Sequence, residues 1–374
     1  MLDASPGAGL VDALAGLAGA YLVNNRSADA LAAADRALAL AAELDLPQPH
    51  KALGFRGSAR VGMGDLDGIA DVERAAALLL TEGQGRDAVV QANNLAVLIS
   101  DIEGPAGYIS AIDDAIRLAE ARGVASDQLR ADRLGSLVEV GRLGEILTDA
   151  EHVIASLAES GSYLVIQVFA VGAFARALHE SGDDHRALVT AERALSQLPE
   201  SVSPVLFAQL SAYVAAAMLA GGRRDETRAL VVRVERDRDA AAEETLSWMP
   251  SIVRAATGLG DVELAERLIQ GVDQSFPVPA AAIDASRAQV LEARGELRLA
   301  AESYAAVANQ WQSLGSRLEY GYALLGEGRC LAGLGDPAAA PTLHEARREF
   351  HEIEAHGRVA DCDAVLADVT RLSS

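Results

Sequence analysis

Short glycine-containing turns recur along the 374 residues at a nearly constant interval, and this spacing constrains the fold more than any other feature. They stand at Gly64, Gly104, Gly141, Gly182, Gly222, Gly260, Gly295 and Gly335, separated by 35 to 41 residues. A fixed period of this length marks stacked supersecondary units. Glycine ends a helix cheaply in the left-handed conformation, and the acid or proline that follows most of these glycines suits the start of the next helix. Each turn therefore joins the two helices of a hairpin.

Between the turns, apolar residues follow helical spacing, as in Leu188, Ala191, Ala194, Leu195 and Leu198, and no long segment alternates with period two. The pattern predicts first helices over 8–23, 48–62, 86–101, 126–140, 163–180, 204–220, 241–257, 279–293 and 316–333. Their partners are expected over 28–44, 68–82, 106–121, 145–159, 185–197, 225–238, 262–274, 297–313 and 337–355, with a capping helix over 358–371. A hairpin of this kind cannot bury its apolar stripe alone, so its neighbours must cover it. The expectation is an all-α fold: one right-handed superhelical solenoid of about nine tetratricopeptide-like hairpins spanning 1–374 as a single domain.

Half the residues are hydrophobic and only 4% aromatic, so the core must be made of small and aliphatic side chains. With 32 Lys and Arg against 54 Asp and Glu, the net charge of -22 opposes a phosphate backbone, and nucleic acid is not an expected partner. The most apolar stretch, 163–175, contains Gln167 and ends at Arg176, which reads as a buried hairpin helix and not a membrane span. Acidic Asp3 stands where a signal peptide carries basic charge, so a cytoplasmic location is expected. Cys330 and Cys362 fit no metal or redox spacing and are expected as buried free thiols.

The run Leu324–Asp336, followed by Pro337 and the segment Leu343–Phe350, resembles the last hairpin of the degenerate tetratricopeptide region in actinobacterial signalling proteins. Those proteins are class III adenylate or guanylate cyclases and ATPase-type transcriptional regulators. The segments 55–60, 93–96 and 103–106 fit the same pattern, and the resemblance spans nearly the whole chain. It implies a helical-repeat fold and the sensor part of a signalling protein, without the cyclase or nucleotide-binding modules that precede such a region.

Chemistry is sparse. Lys51 is the only lysine and follows no glycine-rich loop, so no phosphate-cradling motif forms. Gly62 with Gly64 and Gly258 with Gly260 are hairpin turns, and no G-x-S-x-G elbow exists. His344, His351 and His356 lie among glutamates at spacings that suit a surface ion-pair face better than a metal site, so neither metal nor cofactor is expected. In this fold class ligands lie in the concave groove lined by the first helices. Arg56, Arg60, Gln91, Asn93, Asn94, Arg130 and Arg133 are the candidate groove residues, because arginine and amide side chains grip carboxylates and extended peptide backbones. The same arginines could instead pair with nearby acids. The expected function is a non-catalytic module that binds a protein or peptide; the alternative is a receptor for a small molecule or signalling peptide that controls an output domain.

Overall fold

The computed structural model describes residues 7–23, 26–161, 164–199, 201–238, 246–272 and 276–373. Every regular element among them is a helix, and packing groups the chain into two compact units. The first comprises Met1–Ile102 with Gly107–Leu129, and the second Glu103–Ala106 with Arg130–Ser374.

The early helices are α1 (Ala8–Val23), α2 (Ser27–Glu43), α3 (His50–Gly62), α4 (Gly68–Thr81), α5 (Gly85–Glu103) and α6 (Pro105–Ala121). Then follow α7 (Asp127–Glu139), α8 (Leu143–Glu159), α9 (Leu164–Ser181), α10 (Asp184–Ser196), α11 (Pro204–Ala220) and α12 (Arg224–Arg236). The chain ends with α13 (Met249–Gly258), α14 (Val262–Ile269), α15 (Pro277–Ala293), α16 (Leu297–Ser313), α17 (Arg317–Leu334), α18 (Ala339–Glu352) and α19 (His356–Ser373). Odd-numbered helices up to α17 are the first helices of hairpins and even-numbered ones the second.

All eight glycines of the period adopt the left-handed conformation, with φ between 67° and 91°. At two of them the next residue caps the following helix with its side chain: Asp183 accepts a hydrogen bond from the Arg186 amide and Asp261 one from the Leu264 amide. Left-handed glycines also close several links between hairpins, at Gly83, Gly123, Gly161, Gly271 and Gly315, and there the sequence period had given no signal.

Two expected helices are shorter than their apolar pattern. The helix expected over 241–257 begins at Met249, after a 3-10 turn at Leu246–Trp248, because Pro250 is tolerated only in a first turn; 241–245 lie outside the described residues. The helix expected over 262–274 stops at Ile269, ahead of the left-handed Gly271, and 273–274 lie outside the described residues.

Alanine sets the close packing. In the first unit Ala30, Ala34 and Ala37 are wholly buried along one face of α2, and Val11, Ala15, Leu40, Ala41 and Ala52 form one cluster with Ala37. In the second unit α9 is long and apolar enough to cross a membrane by composition, yet two thirds of it is buried among its neighbours, Arg176, His179 and Glu180 included. It packs against α8, α10, α11 and α19.

The contact with α19 exceeds simple capping of α18. The link before α19 enters the α7–α8 turn, where a Cβ on Gly141 would come within 2.4 Å of Ile353 Cγ2. Gly357 lies so close to α9 that its own Cβ would stand 3.0 Å from the His179 carbonyl oxygen. The last hairpins of the second unit therefore close onto its first.

Gly222 and Gly141 separate the two demands on turn glycines, since both have positive φ but only Gly141 has a neighbour in the way of a side chain. Gly222→Ala is expected to cost about 1–2 kcal/mol for the left-handed conformation. Gly141→Ala should cost about 1–3 kcal/mol more through overpacking on Ile353. Urea denaturation of the two variants checks the difference, and equal losses would mean that the Ile353 contact does not form.

Candidate functional site

The first helices of the first unit surround an open cleft of about 770 Å³. Its walls come from α1, α3, α4 and α5 and from the segment Leu46–Pro49, and they mix apolar side chains such as Val11, Phe55 and Val90 with polar ones. Pro49 ends the extended link and fixes the start of α3, which turns the next two residues toward the cleft. His50 is buried and its Nε2 lies 2.9 Å from Glu82 Oε1, while its Nδ1 is buried without a hydrogen-bond partner. Lys51 Nζ stands 2.9 Å from Asp87 Oδ2.

Gln91 is the decisive group in this cleft. It is only 1% exposed, and its buried Oε1 accepts no hydrogen bond. The amide lies over Gly54, where a Cβ would come within 2.1 Å of Oε1, so only glycine at that position leaves room for it. A buried acceptor without a partner is costly, and one beside an opening can be satisfied by what enters.

Of the seven candidate groove residues, Gln91 alone lines this cleft. Arg56 and Arg60 converge instead on Asp71 of α4: Arg56 donates to both carboxylate oxygens at 2.9 and 3.0 Å, and Arg60 donates to one at 3.0 Å. Burial works against the charge on Asp71, but these hydrogen bonds outweigh it and hold the carboxyl below its usual range. Asn93 keeps a buried, unpartnered Oδ1, and Asn94 is half-buried; neither borders the cleft. Arg130 and Arg133 belong to the second unit, where Arg133 reaches Glu145 at 3.5 Å. His50 and Lys51 are not among the candidate groove residues, although the preceding Pro47 and Pro49 mark a place where a helix start is fixed.

The second unit holds a buried charge cluster of its own. Arg176 donates to Glu139 at 2.6 Å, Arg254 to Glu319 at 2.7 Å, and the Tyr322 hydroxyl to Glu180 at 2.7 Å. The Arg254 guanidinium lies 3.7 Å from the centre of the Tyr322 ring, and Arg358 approaches Glu180 at 3.5 Å. These residues come from α7, α9, α13, α17 and α19, so the cluster ties the beginning of the unit to its end. Burial pushes the Tyr322 hydroxyl up, helped by Glu180, and pushes the Glu139 carboxyl up against the pull of Arg176. Burial also opposes the charge on Glu180, yet Arg358, His179 and Arg176 hold its carboxyl below the ordinary range.

Cys330 and Cys362 are buried free thiols pushed up to about 12, mainly by burial. Among the described residues no group of three or more His, Cys, Asp or Glu converges to hold a metal. Glu349 and Glu352 instead pair with Arg317, and the His351 and His356 rings lie 6.2 Å apart.

Among solved structures, the chain is similar to a Rap protein complexed with competence and sporulation factor, with a TM-score of 0.52 and 13% identity over 96% of this chain and 98% of that one. It is also similar to the apo form of the quorum sensor NprR from B. thuringiensis, with a TM-score of 0.44 and 11% identity over 96% and 98% of the two chains. For a human IFIT1 dimer with PPP-AAAA the values are 0.46 and 15%, over 98% and 84%. No family model matches the chain, and no curated protein matches it in sequence. The fold is that of tetratricopeptide-like helical repeats.

Asp132 on α7 supplies a pH test. Its side chain reaches solvent, yet surrounding protein desolvates it and pushes the carboxyl up to about 6, with no neighbouring charge offsetting the effect. An unfolded chain has the ordinary value of about 3.9. Below that pH both states hold a neutral carboxyl; between about 3.9 and 6 the unfolded state has lost the proton that the folded state keeps, so stability falls across that window and stays lower above it. Asp132→Asn is expected to raise the Tm at pH 7.5 and to change it little at pH 4. An equal shift at both values would remove Asp132 as the cause.

Proposed function

We propose that the chain is a non-catalytic binding module that receives an extended peptide segment of a partner protein in the cleft of the first unit. The observation that carries this reading is the buried, unpartnered Gln91 Oε1 at the wall of that cleft. An extended backbone offers an N–H donor to such an amide oxygen and a carbonyl to its nitrogen. Val90 in the cleft and Val97 two turns further along α5 are 44% and 51% exposed, which gives apolar side chains of the peptide a surface to cover. Exposed Asp12, beside the carboxylates Glu82 and Asp87 that already face His50 and Lys51, favours a segment with a basic residue, in keeping with a net charge of -22.

The Rap protein of similar fold is in complex with competence and sporulation factor, which supports a binding role for helical repeats of this architecture. The resemblance of Leu324–Phe350 to the repeat region of actinobacterial signalling proteins supports a regulatory setting, in which the module reports on its partner to a cyclase, ATPase or transcription-factor output.

Panning random displayed peptides against the full chain tests this reading. Enriched sequences should combine a Lys or Arg with an aliphatic residue, and Gln91→Leu should weaken them at least tenfold, roughly 1.4 kcal/mol. Gly54→Ala, which leaves Gln91 intact but displaces its amide, should do the same. Enrichment of acidic peptides, or equal affinity for wild type and both variants, would rule out this cleft.

A further inference from the structure

Two openings in the second unit have lining residues in common. One, of about 380 Å³, lies between α9, α11, α13 and the start of α19, and the other, of about 510 Å³, between α13, α15, α17 and the same part of α19. Arg254, Tyr322, Arg358 and Asp361 border both. Volumes of this order suit a small molecule.

Small side chains make the space: Ala212, Ala216 and Ala255 in the smaller opening, Gly258, Ala285 and Ala293 in the larger. Polar atoms without partners say what could fill it. Gln289, 8% exposed, borders the larger opening with a buried Oε1 that accepts no hydrogen bond. Arg176, 4% exposed, borders the smaller; its Nη2 donates no hydrogen bond and stands 3.6 Å from Glu319 Oε1. Arg358 Nε is likewise unbonded, 3.5 Å from Glu180 Oε2. Both nitrogens have a carboxylate nearby at more than ordinary hydrogen-bond length and with the donor direction unused.

Charge narrows the ligand further. The smaller opening sets Arg176, Arg254 and Arg358 against Glu180, Asp184 and Asp361, and the larger sets Arg254, Arg329 and Arg358 against Glu292, Glu319 and Asp361. Linings balanced in this way favour neither a simple anion nor a simple cation; they match a molecule that carries both charges.

We propose that the two openings, which meet at Arg254, Tyr322, Arg358 and Asp361, together bind an aliphatic amino acid or dipeptide as its zwitterion. The carboxylate accepts from Arg176 Nη2 and Arg358 Nε, an N–H donates to Gln289 Oε1, and the side chain covers Ala212, Ala216 and Leu219. Since α19 supplies Arg358, the bound ligand also strengthens the contact of α19 with α9. This site is independent of the cleft in the first unit.

The test titrates the full chain with L-leucine and with L-alanyl-L-leucine, reading the Tm and the heat of binding, with uncharged N-acetyl-L-leucine amide as the control. At least one zwitterion is expected to raise the Tm progressively with concentration, as binding to the folded state alone requires, and the control is not. Ala216→Leu fills the smaller opening, and Gln289→Leu removes the acceptor at similar volume. Each variant that keeps the wild-type helical circular dichroism should bind at least tenfold more weakly. The proposal is overturned if neither zwitterion binds, if the control binds equally well, or if a folded variant binds as wild type does.

Discussion

A helical hairpin buries one face of each helix against the other and leaves a second apolar stripe that only another hairpin can cover. Every other feature of this chain depends on that constraint. It requires helices to approach closely, which is why alanine fills the interfaces and why Phe350 of α18 lies against Gly321 of α17, where a Cβ would come within 2.6 Å of its ring. It also requires the chain to reverse at regular intervals, and a left-handed glycine followed by a capping acid does so at little cost.

Stacking leaves the first helices of successive hairpins side by side, and the two units use that face differently. In the first unit it remains open around Gln91. In the second it is crossed by Arg176, Arg254 and Arg358 with Glu139, Glu180 and Glu319, which meet only because α17 and α19 come back to α7 and α9. Taking these charges out of water costs much of what their attraction returns, so the cluster is a poor source of net stability. Its effect is selective: removing one member leaves another charge buried and unpaired, which ties the closed arrangement to the presence of all of them. Apolar contacts such as Ile353 on Gly141 supply the close packing that brings those charges together.

Much of the fold was legible in local chemistry, because each signal acts within a few residues. Glycine followed by an acid marks a hairpin turn, and apolar spacing marks the helices. The exceptions are local as well: Pro250 delays α13 and Gly271 ends α14, in both cases against an apolar pattern that continues further. The candidate site was legible in one residue. Arg56, Arg60 and Gln91 are all polar residues on first helices, yet Asp71 of the neighbouring helix takes both guanidinium groups while nothing donates to the Gln91 Oε1.

The sequence by itself determined the helical hairpins, their turns and the small-residue core, since backbone conformation and apolar period are properties of neighbouring residues. The tertiary structure alone decided which polar groups are satisfied. Glu139 and Glu319 are 180 residues apart and share Arg176 only because the second unit closes. A hydrogen bond acts over about 3 Å of space whatever the distance along the chain, so the period that specifies the hairpins carries no record of those partners.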